Sequence, residues 1–104
     1  MTALKVDKEG FLRNRADWTP DAAAELAAAE GIALTSDHWH IINVVRDYYA
    51  TYHISPATRV LVNIVKRELG SDKGQSIYLM TLFSGKPAKL VSKIAGLPKP
   101  ANCD

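Results

Sequence analysis

Thiols are almost absent from this chain: Cys103 is its one cysteine. One cysteine excludes an internal disulfide framework and any multi-cysteine zinc site. It fits a reducing compartment. Long apolar runs are also missing, and none approaches the length of a membrane span. The opening residues, MTALKVDKEG, lack the hydrophobic core of a secretory signal. The expected location is therefore the cytoplasm, with no membrane partner. Excess charge is scarce too. Thirteen Lys and Arg against eleven Asp and Glu leave a formal net charge of +2, too little to argue for nucleic acid. No Gly-rich phosphate loop and no nucleophile–base motif appears, so a stand-alone enzyme is not expected. What remains is ordinary for a folded protein: 104 residues, 47% hydrophobic and 23% charged. That length fits one domain spanning 1–104, without repeat or linker.

The pattern along the chain is mainly helical. Leu4 and Val6 alternate with polar neighbours, Asp7 to Gly10 read as a turn, and Phe11 and Leu12 resume the apolar pattern. A short β-hairpin is expected there, with an irregular arm as the competing reading. Thr19-Pro20 starts a helix, since a hydroxyl caps it and proline at the first position loses no hydrogen bond. The alanine-rich run continues to Glu30 and Gly31 stops it. Thr35 starts a second helix with Trp39, Ile42, Val45, Tyr49 and Tyr52 on one face, through about His53. Ser55-Pro56 opens a third, closed by Gly70, with Val60, Leu61, Ile64, Val65 and Leu69 as its buried stripe. A fourth covers Gln75 to Phe83 and a fifth Pro87 to Ala95, ended by Gly96. After it, Pro98 and Pro100 block helix and disfavour sheet. The tail should be extended, near polyproline II, with a mobile end.

Cys103 is the residue that carries chemistry. Free cysteine is usually buried as a small hydrophobe. Cys103 instead follows a Pro-Lys-Pro spacer, between Asn102 and Asp104, with no apolar stripe around it. A thiol at the tip of a semi-rigid arm can enter another protein's active site, and the prolines reduce the entropy lost on docking. Its thiolate could hold sulfane sulfur as a persulfide. Lys86, Lys89, Lys93 and Lys99 cluster in the same stretch. Lys93 and Lys99 are read as steering the arm toward acidic partners or favouring the thiolate.

Other groupings have blander readings. His38, His40 and His53 could suggest a metal, but His38 and His40 point in different directions on a helix, so no metal site is expected. The second and third helices, meeting at His53-Ile54-Ser55, could form a DNA-binding helix-turn-helix with Arg59, Lys66 and Arg67. Plain helix packing is favoured, because the net charge is modest and Glu68 adjoins the basic pair. Trp39, Tyr48, Tyr49 and Tyr52 at helical spacing read as core rather than a base-stacking surface.

The tail from Lys93 to Asp104, KIAGLPKPANCD, closely resembles the C-terminal arm of the DsrC/TusE family. Agreement continues in order through Gly31-Ile32, Leu34-Thr35, His38-Trp39, Val45-Arg46-Asp47-Tyr48-Tyr49, Ser55-Pro56-Ala57, Arg59, Leu82-Phe83, Gly85 and Pro87-Ala88-Lys89. The resemblance covers nearly the whole chain. It implies a mostly α fold: a small orthogonal helical bundle, a short N-terminal β-hairpin and a flexible C-terminal arm over 96–104. It implies a structural role for His38-Trp39. DsrC proteins proper carry two arm cysteines separated by ten residues and act with dissimilatory sulfite reductase. TusE-like proteins keep only the penultimate one and relay sulfur from a TusBCD-type donor to a tRNA 2-thiouridylase such as MnmA. Here the position ten intervening residues before Cys103 is Ser92. Serine cannot close the intramolecular bridge. The expected function is therefore a sulfur carrier with Cys103 as its persulfide site, needing no metal or organic cofactor. The alternative is a DsrC-like partner or regulator with sulfite reductase-related proteins as partners.

Overall fold

The computed structural model describes residues 3–101. Five helices follow a short 3-10 turn at Arg15–Asp17: α1 Pro20–Ala29, α2 Ser36–Tyr52, α3 Thr58–Leu69, α4 Ser76–Phe83 and α5 Pro87–Ile94. Their starts follow local chemistry. Thr19 Oγ1 accepts the Ala22 N–H at 3.0 Å, and Pro20 occupies the first turn of α1. At α2, the Thr35 N–H donates to His38 Nδ1 at 3.1 Å. Because Nδ1 accepts, the ring proton sits on Nε2, which meets the Leu82 carbonyl at 2.8 Å. His38 thus caps its own helix and pins the end of α4, with its ring edge-on to Phe83. The structural role expected of His38 has a specific form here, and both ring nitrogens are committed to protein partners.

Helix α5 is the hub. It packs against α1, α2, α3 and α4. Ala88, Val91, Ser92, Ile94 and Ala95 are all fully or almost fully buried. Around them lie Leu26, Ile41, Ile42, Val45, Leu61, Val65, Leu79 and Phe83, which form one continuous apolar cluster. Four helices thus pack on a fifth that is only eight residues long.

Two expectations are corrected. No named strand forms among the described residues, so the hairpin is absent; a single antiparallel bridge joins Val6 to Leu12. The Asp7 carboxylate explains this. It accepts the N–H groups of Glu9 at 2.9 Å and Phe11 at 3.0 Å, closing a tight turn, and beyond it the pairing extends only to the Asp7–Phe11 and Arg13–Lys5 backbone bonds around the bridge. Phe11 and Leu12 then drop into the core. Helix α3 also begins later than Ser55-Pro56. Both residues are buried in the connection, and the helix starts at Thr58.

Candidate functional site

Cys103 and its neighbours Asn102 and Asp104 lie outside the described residues. What the structure supplies is the base from which Cys103 departs. Helix α5 ends in a paired-bond cap. The Leu97 N–H reaches back to the Ser92 carbonyl at 2.9 Å, and the Gly96 N–H to the Lys93 carbonyl at 3.1 Å. This is the Schellman arrangement, and it requires the left-handed φ of +75° at Gly96. The next carbonyls are taken by side chains from distant segments. Trp18 Nε1–H donates to the Ile94 carbonyl at 2.9 Å, and an Arg46 N–H donates to the Ala95 carbonyl at 2.6 Å. The Arg46 guanidinium lies 3.7 Å from the Trp18 ring centroid, a cation–π stack that holds both donors in place. Burial pushes the Arg46 pKa below its ordinary value, with Asp47 opposing.

The tail past Gly96 stays on the body. Leu97 is buried, and Pro100 is buried as well. The Ser55 hydroxyl donates to the Pro98 carbonyl at 2.6 Å, which explains why Ser55 is kept in a buried connection rather than a helix cap. Glu9 bridges Lys89 of α5 at 2.9 Å and Lys99 of the tail at 3.2 Å. Those two lysines, Lys89 first, hold the Glu9 carboxyl below its usual pKa. The tail is thus held on the body through Pro100, and the mobile end expected of it lies outside the described residues.

The lysines expected near the thiol divide. Lys99 is committed to Glu9. Lys93 is nearly buried, pairs with Glu30 at 2.9 Å and lies over the Phe11 ring. Its charge is enclosed on the α1 side, so a steering role for Lys93 is corrected to a structural one. Ser92, at the spacing of a second arm cysteine, is fully buried, and its hydroxyl is without a hydrogen-bond partner. Of the helix-turn-helix residues, Arg59, Lys66 and Arg67 are exposed, and Arg67 is paired with Glu68 at 3.0 Å. Among the described residues no cluster of three or more His, Cys, Asp or Glu could hold a metal, and no helix is long and apolar enough to cross a membrane.

Trp18, Glu9 and the 3-10 turn were not marked as functional from the sequence. Arg46 and Ser55 stood in matching segments, but without a role. Each acts through a partner at least 43 residues away, which no local pattern displays.

The fold and its tied tail define a class: a small helical body that carries one cysteine on a short C-terminal extension. A family model described as "DsrC like protein" matches residues 1–103, and the chain belongs to that family. It is 49% identical over 100 residues to "Sulfurtransferase TusE homolog" of Haemophilus influenzae, covering 96% of this chain and 92% of the relative. It is 43% identical to "Sulfurtransferase TusE" of Escherichia coli K12, with the same coverage of 96% and 92%. Among solved structures, DsrC of Allochromatium vinosum superposes with a TM-score of 0.86 at 48% identity, covering 95% of this chain and 88% of that one. The oxidised sulfite reductase γ-subunit (DsrC) of Archaeoglobus fulgidus gives 0.83 at 39% identity, covering 97% and 92%.

Proposed function

We propose that this protein is a sulfur carrier that holds sulfane sulfur as a persulfide on Cys103 and passes it to an acceptor in a tRNA 2-thiouridine relay, in the cytoplasm. The Cys103 thiolate attacks the terminal sulfur of a donor persulfide. The donor's S–S bond breaks, the donor leaves as a thiolate, and Cys103 holds the transferred sulfur. An acceptor thiolate then attacks that outer sulfur and Cys103 leaves as the thiolate. Each exchange balances in electrons, so neither an oxidant nor a cofactor enters. A TusBCD-like complex would be the donor and an MnmA-like thiolating enzyme the acceptor.

The observation that carries this reading is Ser92. The position a two-cysteine arm would use for ring closure is a buried serine, and Cys103 is the only thiol. Transfer must therefore run between proteins. The TusE sulfurtransferases among the relatives support the same choice, while identity is equal on both sides, 43–49% to TusE proteins and 48% to a DsrC, so Ser92 decides it.

Intact-protein mass spectrometry tests it. After incubation with a cysteine desulfurase, its relay proteins and cysteine, the expected result is a gain of one sulfur, reversed by reductant. Cys103→Ser should show no gain at an unchanged melting temperature. Sulfur uptake by that variant, or none by the wild type with its thiol free, would overturn the assignment.

A further inference from the structure

The N-terminal segment and α1 enclose a groove that sulfur transfer at Cys103 does not use. The turn closed by Asp7 sets Gly10 at a left-handed φ of +90° against the Lys93 side chain, where a Cβ would fall 3.5 Å from Lys93 Cδ. Leu4 and Val6 form one wall of the groove, and Leu26 and Ala29 of α1 form the other. The space between them is about 200 Å³. That is below the roughly 300–1,000 Å³ of small-molecule sites and suits a single long side chain.

The floor is charged. Lys93, with only 8% of its side chain exposed, donates to Glu30 at 2.9 Å and lies 5.3 Å from the centre of the Phe11 ring. Glu30 thus neutralises the buried ammonium. A second carboxylate, Glu25, borders the same space without an ion-pair partner among the described residues. The groove is left with one uncompensated negative charge. The surface around it has the same sign. Between Arg15 and Arg46 the sequence has no Lys or Arg, and its charged residues there are Asp17, Asp21, Glu25, Glu30 and Asp37. Asp21 stands one turn before Glu25 on α1 and is exposed. Such a face repels nucleic acid. Lysine matches it, because its aliphatic stem lies along apolar walls while its ammonium stays at the wet rim. A free amine would use the groove alone, whereas a basic protein also covers Asp17 and Asp21 outside it.

We infer that the groove between the N-terminal segment and α1 is a docking pocket for a lysine side chain of a basic partner protein, its stem against Leu4, Val6, Leu26 and Ala29 and its ammonium on Glu25. Nothing in this pocket depends on the sulfur-carrier role of Cys103.

The test titrates the full chain with three probes and follows the methyl groups of Leu4, Val6, Leu26 and Ala29 by NMR. Acetyl-trilysine amide represents the partner. Acetyl-trinorleucine amide keeps the stem without the charge, and n-butylamine keeps stem and charge without the peptide. Trilysine should bind at least about tenfold more tightly than either, with its largest shifts at those methyls. Glu25→Gln should weaken it at least about fivefold at an unchanged melting temperature. Ala29→Trp, which fills the groove from an exposed position, should do the same. Asp72→Asn, at an exposed carboxylate between α3 and α4, should bind as the wild type does. Equal binding of trinorleucine would make the groove purely apolar, and equal binding of butylamine would make it a free-amine site; either overturns the docking pocket. So would wild-type affinity in both groove variants, an equal loss in Asp72→Asn, or no shift at the groove methyls with millimolar trilysine.

Discussion

At the scale of single residues, Gly96 is constrained twice, by contact and by conformation. A Cβ added there would run into the Trp18 indole ring, and the backbone is at φ +75°. Both the contact and the conformation oppose any side chain. Gly96→Ala should cost at least about 2 kcal/mol, read by urea denaturation. Arg46→Ala should cost a similar amount, about 2 kcal/mol, because it leaves the Ala95 carbonyl without its charged donor and removes the stack on Trp18. Arg46→Lys should recover only part, since lysine has no planar fork to stack. Cys103 was legible in the sequence because composition and position set it apart. Ser55 and Glu9 were not. A serine before proline looks like a helix start, and only the fold reveals that its hydroxyl is used 43 residues away.

At the scale of elements, α5 shows how local and global demands meet. Its apolar spacing, opening proline and closing glycine made it readable as a helix, and the same rules placed the other four. What spacing could not display is that α5 is surrounded, because a central helix and a surface helix begin and end with the same signals. Lys93 was misread for that reason: a lysine in a basic run looks solvated, yet here it is enclosed with Glu30. The N-terminal turn failed for a different reason. Alternation of Leu4 and Val6 suggested strand, while the Asp7 carboxylate took the Phe11 N–H and closed a tight turn, leaving the pairing one bridge long. Ser92 offers the clearest test of the packing on α5. Its hydroxyl is buried without a partner. Ser92→Ala removes that unsatisfied group and should stabilise the protein by about 1 kcal/mol. The melting temperature should rise by roughly 4–8 °C. A fall would mean that the hydroxyl has a partner in solution.

At the scale of the whole molecule, Glu9 joins the N-terminal segment, α5 and the tail. Lys89 and Lys99 lower its folded pKa. A lowered carboxylate pKa adds stability above the ordinary glutamate range, and that contribution is lost as pH falls through the lowered value. The tail should therefore loosen on acidification. The Glu9 carboxyl resonance, followed by NMR, should titrate below the ordinary glutamate range, and Lys89→Ala or Lys99→Ala should move it back toward that range. Salt should weaken the tie at neutral pH, because the carboxylate is exposed.

The hub position of α5 has a consequence for synthesis. Chains leave the ribosome in sequence order, and α1 to α4 emerge before the helix on which they all pack. Until α5 follows, their apolar faces have no common centre, and the ties from Trp18, Arg46, Ser55 and Glu9 have nothing to hold. Such distant pairings carry a loop-closure cost that the nascent chain cannot yet offset. The tail up to Pro100 is thus seated in the same event that completes the core, so a half-folded chain has no seat for it.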